Sequence, residues 1–284
     1  MDIIVAEDAG FCFGVKRALD LVGQTAEAPG SQVYTWGALI HNPQEIARLE
    51  ERGIRQVRSL EGLSDGALVL PAHGVDPAVE QEALARGLRV IDATCPFVKR
   101  AHDHIRTLSE EGYSVLILGD RGHREVLGLA ARAGGKARIV TSADEVRSLP
   151  AHERCGLVVQ TTQRPEALRQ VTAVLAGKCR ELRIFNTICE ATVRRQESAR
   201  KLAESVDVMV VVGGRNSANT ARLHEICAGA GARAHHIETA QELDADWLQG
   251  ARWVGVTAGA STPAWIIDDV VSRLRALAEA VPPR

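Results

Sequence analysis

Three cysteines of this chain share one local sequence context. Each follows an apolar run, lies in a short turn and precedes a basic helical stretch: FGVKRA follows Cys12, PFVKRA follows Cys95, and EATVRRQ follows Cys189. A single cysteine near a helix start is most simply a small buried residue. The same context repeated three times instead favours a shared chemical role, and thiolates are good ligands for soft metals.

Three thiolates suit two kinds of metal centre. A closed tetrahedral zinc site would need a fourth ligand such as histidine, whereas an iron–sulfur cluster could keep one iron free of protein. The ligand type does not separate these alternatives, because soft thiolates favour both metals. The remaining cysteines lack the shared context, and we interpret them as structural: Cys155, Cys179 and Cys227.

A second set of side chains offers hydrogen bonds to an anion. They follow apolar runs, often just before a helical stretch: His41, His73, His123, Thr161, Thr162, Ser217, Asn219 and Ser261. Taken singly, each has a simpler explanation as a helix cap, a turn residue or a loop histidine. Together, at positive helix N-termini, they predict a phosphate or diphosphate pocket. Since neither GxGxxG nor GxxxxGK[ST] occurs, we assign the anion to the substrate.

Glu125 lies two residues after His123, on the segment that leaves a predicted strand. This position allows it to share a pocket wall with the histidine and to transfer protons. The alternative is a first-turn helix carboxylate that is stabilised by the helix dipole. The array of anion-binding groups on the same edge of the sheets favours an open iron, which needs a substrate beside it, whereas a structural zinc has no use for such an array.

The elements that position these residues alternate between short Val/Ile/Leu-rich runs and longer helical stretches, which is typical of an α/β fold with parallel sheets. The predicted strands include GALVLPAHG, RVIDATC, YSVLILGDRGH, RCGLVVQTT, RIFNTIC, DVMVVVGGRN and RWVGVTAGAS. Each ends in small, hydroxyl, histidine or cysteine residues. These polar groups therefore lie at the carboxyl ends of strands, where open α/β sheets bind ligands.

The three cysteines are separated by about the length of a small βαβ domain, which predicts a threefold internal repeat. We expect α/β domains at residues 13–95, 96–189 and 190–284, the last completed by the N-terminal strand in residues 1–12. Each unit would present one thiolate from a strand-to-helix turn. The three units could then converge on one metal centre.

Composition excludes several classes of protein. Across 284 residues, 25% are charged, 45% are hydrophobic and the formal net charge is −2, so a general nucleic-acid binder is not indicated. The N-terminus lacks the features of a secretory signal, and no apolar run is long enough to span a membrane. We therefore expect a cytoplasmic protein with reduced thiols and no membrane association.

The ordered motifs FCFGVKRA, HNP, AHGV, DATCP, GHREV, QTT, NTICEAT with RRQ, RNSANT and GVTAGAS resemble those of the 4-hydroxy-3-methylbut-2-enyl diphosphate reductases, the LytB/IspH family. The resemblance extends from about residue 3 to about residue 275. It implies a cloverleaf of three α/β domains around a 4Fe–4S cluster. It also implies two-electron reductive dehydroxylation of the allylic diphosphate to isopentenyl or dimethylallyl diphosphate, the last step of the methylerythritol phosphate pathway.

The resemblance implies a role for each candidate residue. Cys12, Cys95 and Cys189 would hold the cluster, with one iron open to the substrate hydroxymethyl oxygen, and Glu125 would donate protons. The remaining residues divide into those that hold the diphosphate and those that line the allyl group: His41, His73, Ser217, Asn219 and Ser261 in the first set, and His123 and Thr161 in the second. A ferredoxin- or flavodoxin-type protein would supply electrons, and we expect a monomer.

One position departs from the family pattern, because Ala218 stands where a second serine is common after Ser217. We expect weaker diphosphate binding, since one side-chain hydrogen bond is lost.

Two other functions compete with the reductase. A non-catalytic sensor could hold an iron–sulfur cluster or zinc on the three cysteines. A thiol hydrolase or transferase would need only one nucleophilic cysteine.

Overall fold

The computed structural model describes residues 1–28 and 32–280. In chain order its strands are β1 (Asp2–Val5), β2 (Val33–Trp36), β3 (Arg55–Val57), β4 (Ala67–Leu70), β5 (Arg89–Asp92), β6 (Ser114–Leu118), β7 (Arg138–Val140), β8 (His152–Val159), β9 (Cys179–Phe185), β10 (Val208–Val212), β11 (Arg233–Ile237) and β12 (Trp253–Ala258). The seven sequence runs predicted as strands correspond to β4, β5, β6, β8, β9, β10 and β12, so those predictions are confirmed.

The helices in chain order are α1 (Phe13–Ala26), α2 (Pro43–Glu51), α3 (Pro77–Ala85), α4 (Pro96–Glu110), α5 (Arg124–Arg132), α6 (Ala143–Arg147), α7 (Pro165–Ala176), α8 (Glu190–Ala203), α9 (Ala218–Gly229) and α10 (Ala264–Ala280). Four begin with proline at the first helical position, where the missing N–H costs nothing because no intrahelical partner exists there. Among the described helices, none combines the length and the apolar character needed to cross a bilayer.

The strands form three four-stranded sheets, and every pairing within them is parallel. The strand orders are β3-β2-β4-β5, β7-β6-β8-β9 and, for the third sheet, β11-β10-β12-β1. All three sheets share one connectivity. Along the chain, an inner strand is followed by one edge strand, then by the second inner strand, and then by the other edge strand. In the third sheet, however, that last strand is β1 from the N-terminus, so the repeat is circularly permuted.

The sheets are built from near-continuous apolar runs because helices cover both faces of each. In β10 (VMVVV), Val210 faces a core that includes Val270 of α10, while its neighbour Val211 faces a core that includes Leu223 of α9. Fully burying one such side chain is worth about 1.5–3 kcal/mol. This two-sided burial explains why the strands show no polar alternation in the sequence.

Contacts divide the described chain into two compact units. Unit 1 comprises Met1–Phe13, His41–Glu45 and Glu190–Arg284, and unit 2 comprises Gly14–Ile40 and Ile46–Cys189. Unit 1 contains the permuted sheet, and unit 2 contains the other two. The three α/β sheets predicted from the repeat are thus present. The domain boundaries at residues 12, 95 and 189 stay predictions, and residue 284 lies outside the described residues.

Candidate functional site

The three repeated cysteines occupy equivalent places in the three sheets. Each follows an edge strand, and its backbone N–H donates to a carbonyl two residues beyond the end of the neighbouring inner strand. The N···O distances are 3.0 Å from Cys12 to Ala260, 2.9 Å from Cys95 to Ala72 and 2.9 Å from Cys189 to Thr161. The shared sequence context therefore reflects one recurring backbone arrangement at the carboxyl edge of each sheet.

The thiols differ in exposure: Cys155 and Cys227 are buried, whereas Cys179 is partly exposed, as the three repeated cysteines are. Cys12, Cys95 and Cys189 are partly exposed, and no described cysteine forms a disulfide. Burial raises the pKa of Cys155 and of Cys227 to about 12, which keeps both thiols protonated at neutral pH. No group of three or more histidine, cysteine or acidic side chains that could hold a metal ion is gathered within residues 1–28 and 32–280. The meeting of the three thiolates therefore stays a prediction.

Glu125 lies in the first turn of α5 and is only 3% exposed. Its two carboxylate oxygens accept hydrogen bonds from Thr161, at 2.6 Å from the backbone N–H and 2.8 Å from the hydroxyl. Burial raises the pKa of Glu125 to about 7, although these two hydrogen bonds act in the opposite direction. A carboxylic acid with that pKa can hold and release a proton at neutral pH.

His123 is the N-cap of α5, two residues before Glu125. Its Nδ1 accepts a hydrogen bond of 3.2 Å from the backbone N–H of Glu125. A neutral imidazole that accepts at Nδ1 carries its proton on Nε2, which makes Nε2 the donor toward a ligand. Nδ1 of His123 therefore caps the helix, and the role of this residue toward a substrate stays a prediction.

The buried His73 follows β4 in a tight loop. Gly74 adopts φ +78°, a left-handed conformation that favours glycine, and its N–H donates to the Pro71 carbonyl at 3.0 Å. Arg132 of α5 donates to the Val75 carbonyl at 2.6 Å. The loop that carries His73 is thus fixed within unit 2.

In unit 1, Ser217 is the N-cap of α9, and its hydroxyl accepts from the Thr220 backbone N–H at 3.3 Å. Asn219 follows in the first turn and is 4% exposed, yet neither its amide nitrogen nor its amide oxygen has a hydrogen-bond partner in the described structure. A buried polar group without a partner costs about 1–3 kcal/mol. A bound ligand would offset that cost.

Two further loops approach this helix N-terminus within unit 1. The Ser261 hydroxyl donates to the His41 carbonyl at 2.9 Å. A Cβ atom on Gly214 would lie 2.6 Å from that same carbonyl oxygen, so only glycine fits there. Ser217 is linked in turn to Gly214, because its backbone N–H donates to the Gly214 carbonyl at 3.0 Å. The structure therefore brings His41, Ser217 and Ser261 to one edge of the permuted sheet.

The predicted residues thus fall into three groups. Two groups lie in unit 2: one comprises His123, Glu125, Thr161 and Cys189, and the other comprises His73 and Cys95. The third group lies in unit 1 and comprises Cys12, His41, Ser217, Asn219 and Ser261. Thr162, which the sequence also suggested, accepts from the Gln160 side-chain amide at 2.9 Å.

Sequence reasoning missed two buried groups beside the cysteines. The Arg195 guanidinium donates to the Gly10 carbonyl at 2.7 Å, two residues before Cys12. His102 of α4 is buried seven residues after Cys95, a spacing that places both on one face of the helix. This spacing was the available signal for His102. Arg195 belongs to the basic pair after Cys189, which is visible in the sequence, but the sequence does not show that its side chain is buried.

Comparisons with known proteins give a consistent family. The profile of the family described as LytB protein matches residues 3–275. The 4-hydroxy-3-methylbut-2-enyl diphosphate reductase of Geobacter sulfurreducens is 49% identical over 275 residues, which cover 97% of each chain. The enzyme of the same name from Pelobacter propionicus is 48% identical over 96% of this chain and 98% of its own.

Two solved structures are similar over nearly the whole chain. One is (E)-4-hydroxy-3-methyl-but-2-enyl diphosphate reductase, the terminal enzyme of the non-mevalonate pathway. It is 43% identical, with a TM-score of 0.71, and the match covers 97% of this chain and 100% of that one. The other is the E-1-hydroxy-2-methyl-but-2-enyl-4-diphosphate reductase of Plasmodium falciparum, with 27% identity and a TM-score of 0.90 over 99% of this chain and 88% of that one. Together with the profile match, these similarities show that the chain belongs to the LytB protein family.

Proposed function

We propose that this chain is a 4-hydroxy-3-methylbut-2-enyl diphosphate reductase that acts in the last step of the non-mevalonate route to isoprenoids. In the reaction, the allylic C–O bond breaks, one C–H bond forms and the oxygen leaves as water. Two electrons and two protons are consumed, and the product is isopentenyl or dimethylallyl diphosphate. Family membership and the high identity to reductases of that name support this assignment.

One observation carries the proposal at the level of residues. Glu125 accepts two hydrogen bonds from Thr161, and the Thr161 carbonyl accepts the backbone N–H of Cys189 at 2.9 Å. A single residue therefore links a protonatable carboxyl group to a cysteine of the threefold set. Reductive loss of a hydroxyl group needs a proton source close to the place where electrons arrive, and this linkage supplies that proximity.

We assign Cys12, Cys95 and Cys189 as the ligands of a 4Fe–4S cluster. Their chemistry fits this group, because all three are partly exposed thiols at equivalent strand-to-helix turns, whereas Cys155 and Cys227 are fully buried. When bound, such a cluster would supply electrons and one iron with an open coordination position. In this proposal each α/β domain supplies one cysteine ligand, and the three domains are residues 13–95, residues 96–189, and residues 190–284 with 1–12.

The diphosphate is assigned to five residues: His41, His73, Ser217, Asn219 and Ser261. Asn219 gives the strongest support, because both polar atoms of its buried amide lack a partner. The N-terminus of α9 adds unpaired backbone N–H groups and a positive dipole end, both of which favour an anion. Ala218 is the first residue of α9, so its backbone N–H can donate to a phosphate oxygen in place of the missing serine hydroxyl.

We assign Glu125 as the proton donor. His123 and Thr161 are assigned as residues that line the reacting end of the substrate. The pKa of Glu125 is about 7, so a substantial share of the enzyme holds a protonated carboxyl group at neutral pH. The Thr161 hydroxyl contacts one of its oxygens and can relay a proton from it. Protonation of the departing oxygen avoids the release of hydroxide, which is a poor leaving group.

The electrons must come from another protein, and we assign a one-electron carrier of the ferredoxin or flavodoxin class. We further assign the enzyme to the cytoplasm as a monomer. These three assignments rest on the family resemblance and on the expectations from composition.

Anaerobic reconstitution with iron and sulfide tests the function, followed by a reductant-driven assay with 4-hydroxy-3-methylbut-2-enyl diphosphate. We expect a brown protein that forms isopentenyl and dimethylallyl diphosphates. A colourless protein that binds zinc would indicate the sensor or structural-metal alternative. Activity that survives replacement of any two of the three cysteines by serine would instead favour a thiol hydrolase or transferase.

A further inference from the structure

The buried imidazole of His102 has no part in the roles assigned above. His102 lies on the buried face of α4 with Val98, Ala101, Ile105 and Leu108, and it is 7% exposed. A core histidine usually has hydrogen-bond partners at its ring nitrogens. Nε2 of His102, however, is buried and has no partner among the described residues. This position is therefore not explained by core packing alone.

The ring lies against the loop that carries His73. A Cβ atom on Gly74 would be 2.8 Å from Cε1 and 3.1 Å from Nε2 of His102, so the imidazole packs directly against the glycine backbone. The same point is 3.4 Å from the Thr94 methyl group. Gly74 follows His73, and His102 belongs to α4, whose N-cap is Cys95, so this side chain packs the helix that follows the cysteine against the residue that follows His73.

Backbone hydrogen bonds connect the same two segments. The Cys95 N–H donates to the Ala72 carbonyl at 2.9 Å, and Arg132 donates to the Val75 carbonyl at 2.6 Å. The segment from residue 71 to residue 77 is therefore bounded by the Cys95 turn, by Arg132 and by the His102 ring. The His102 ring contacts the loop at Gly74, and its helix begins directly after Cys95.

His102 makes these contacts as a neutral ring. Burial lowers the pKa of His102 to about 3, and the positive charges of Arg132 and Lys99 act in the same direction, while Asp92 opposes them. The imidazole therefore remains uncharged throughout the working pH range. Its contribution comes from shape and packing rather than from charge.

We propose that His102 is a positioning residue that holds the His73 loop and the Cys95 turn at a fixed separation. The inference rests on the proposed function, in which His73 binds the diphosphate and Cys95 binds the cluster. A shift of the loop relative to the turn would displace the substrate from the iron without removing any group that touches it. His102 thus sets the geometry between two binding elements of unit 2.

Hydrogen exchange and steady-state kinetics test this role together. His102→Ala removes the ring, and His102→Gln is a milder variant if the alanine variant does not fold. His104→Ala is the matched control, because His104 lies two residues further along α4 and stacks on Phe185 at 3.9 Å between ring centroids. The amides to follow are those of Gly74 and Cys95, which donate to Pro71 and Ala72.

In the His102 variants we expect exchange at both amides to accelerate about tenfold or more relative to the control. We also expect the KM for the allylic diphosphate to rise about tenfold, with a smaller change in kcat. Exchange at Gly74 and Cys95 equal to that of the His104 variant would overturn the proposal. Faster exchange with an unchanged KM would also overturn it, because it would show a purely structural role.

The design separates this inference from the function on which it rests. A wild-type protein that reconstitutes but does not convert the substrate contradicts the reductase assignment. The exchange measurement on the metal-free and the reconstituted protein needs no turnover. It decides in either case whether His102 ties the two segments together.

Discussion

Replacement of Glu125 by glutamine is the sharpest test of the proposed chemistry, because it removes the acidic proton of the side chain and keeps its size and its hydrogen-bonding groups. The glutamine carbonyl can accept from the Thr161 N–H, and its amide can donate to the Thr161 hydroxyl, so both contacts of 2.6 and 2.8 Å can be kept. We expect the variant to assemble the cluster and bind the substrate normally. Because a positioned acid contributes about 10²–10⁴-fold to a rate, kcat should fall by that factor.

The pH profile gives an independent measure of the same group. Glu125 must be protonated to donate, and its pKa is about 7 because of burial. Wild-type kcat should therefore be highest below that value and fall about tenfold for each pH unit above it. In the Glu125→Gln variant the residual rate should lose this dependence.

The assay is anaerobic turnover with a chemical reductant at saturating substrate between pH 5.5 and 9, together with a substrate dissociation constant for each variant. Glu166→Gln is the matched control, since Glu166 is also in the first turn of a helix but is exposed and paired with Arg169. The control should behave as wild type. A Glu125→Gln rate within threefold of wild type, or an unchanged pH profile in that variant, would refute the assignment of Glu125 as the acid.

Three further predictions follow from the same structure. The pKa of Glu125 is about 7 in the folded protein, against an ordinary value of 4.5. Relative to Glu125→Gln, the wild-type protein should therefore lose up to about 3 kcal/mol of its free energy of unfolding as the pH rises from 4.5 through 7. Urea unfolding of both metal-free proteins at pH 5 and pH 8.5 checks this. Asn219→Ala should raise the KM about tenfold or more with little change in kcat, because a hydrogen bond to a charged group is worth about 1.5–3 kcal/mol; an unchanged KM would remove Asn219 from the diphosphate site. Replacement of Cys12, Cys95 or Cys189 by serine should each abolish cluster binding, measured by iron content and visible absorbance. Cys179→Ser should retain the cluster.

The sequence alone determined the fold class and the local position of each candidate residue. Buried parallel strands are continuous apolar runs, so β10 and β12 are visible without a structure, as are the polar residues that follow them. Short outer strands such as β3 (RQV) and β7 (RIV) were not identified, because three residues carry too little pattern. The threefold repeat was visible because the same turn recurs after three edge strands.

Tertiary structure alone decided the environments that control the chemistry. The pKa of Glu125 depends on burial against Thr161, 36 positions away in the chain, and no local pattern reports that contact. The repeat already predicted that the N-terminal strand completes the third unit, whereas the parallel pairing of β1 with β12 and its register are seen only in the folded structure. His102 contacts Gly74 for the same reason. Residue types and spacing are local properties, whereas desolvation and contact between distant segments arise only when the chain is folded.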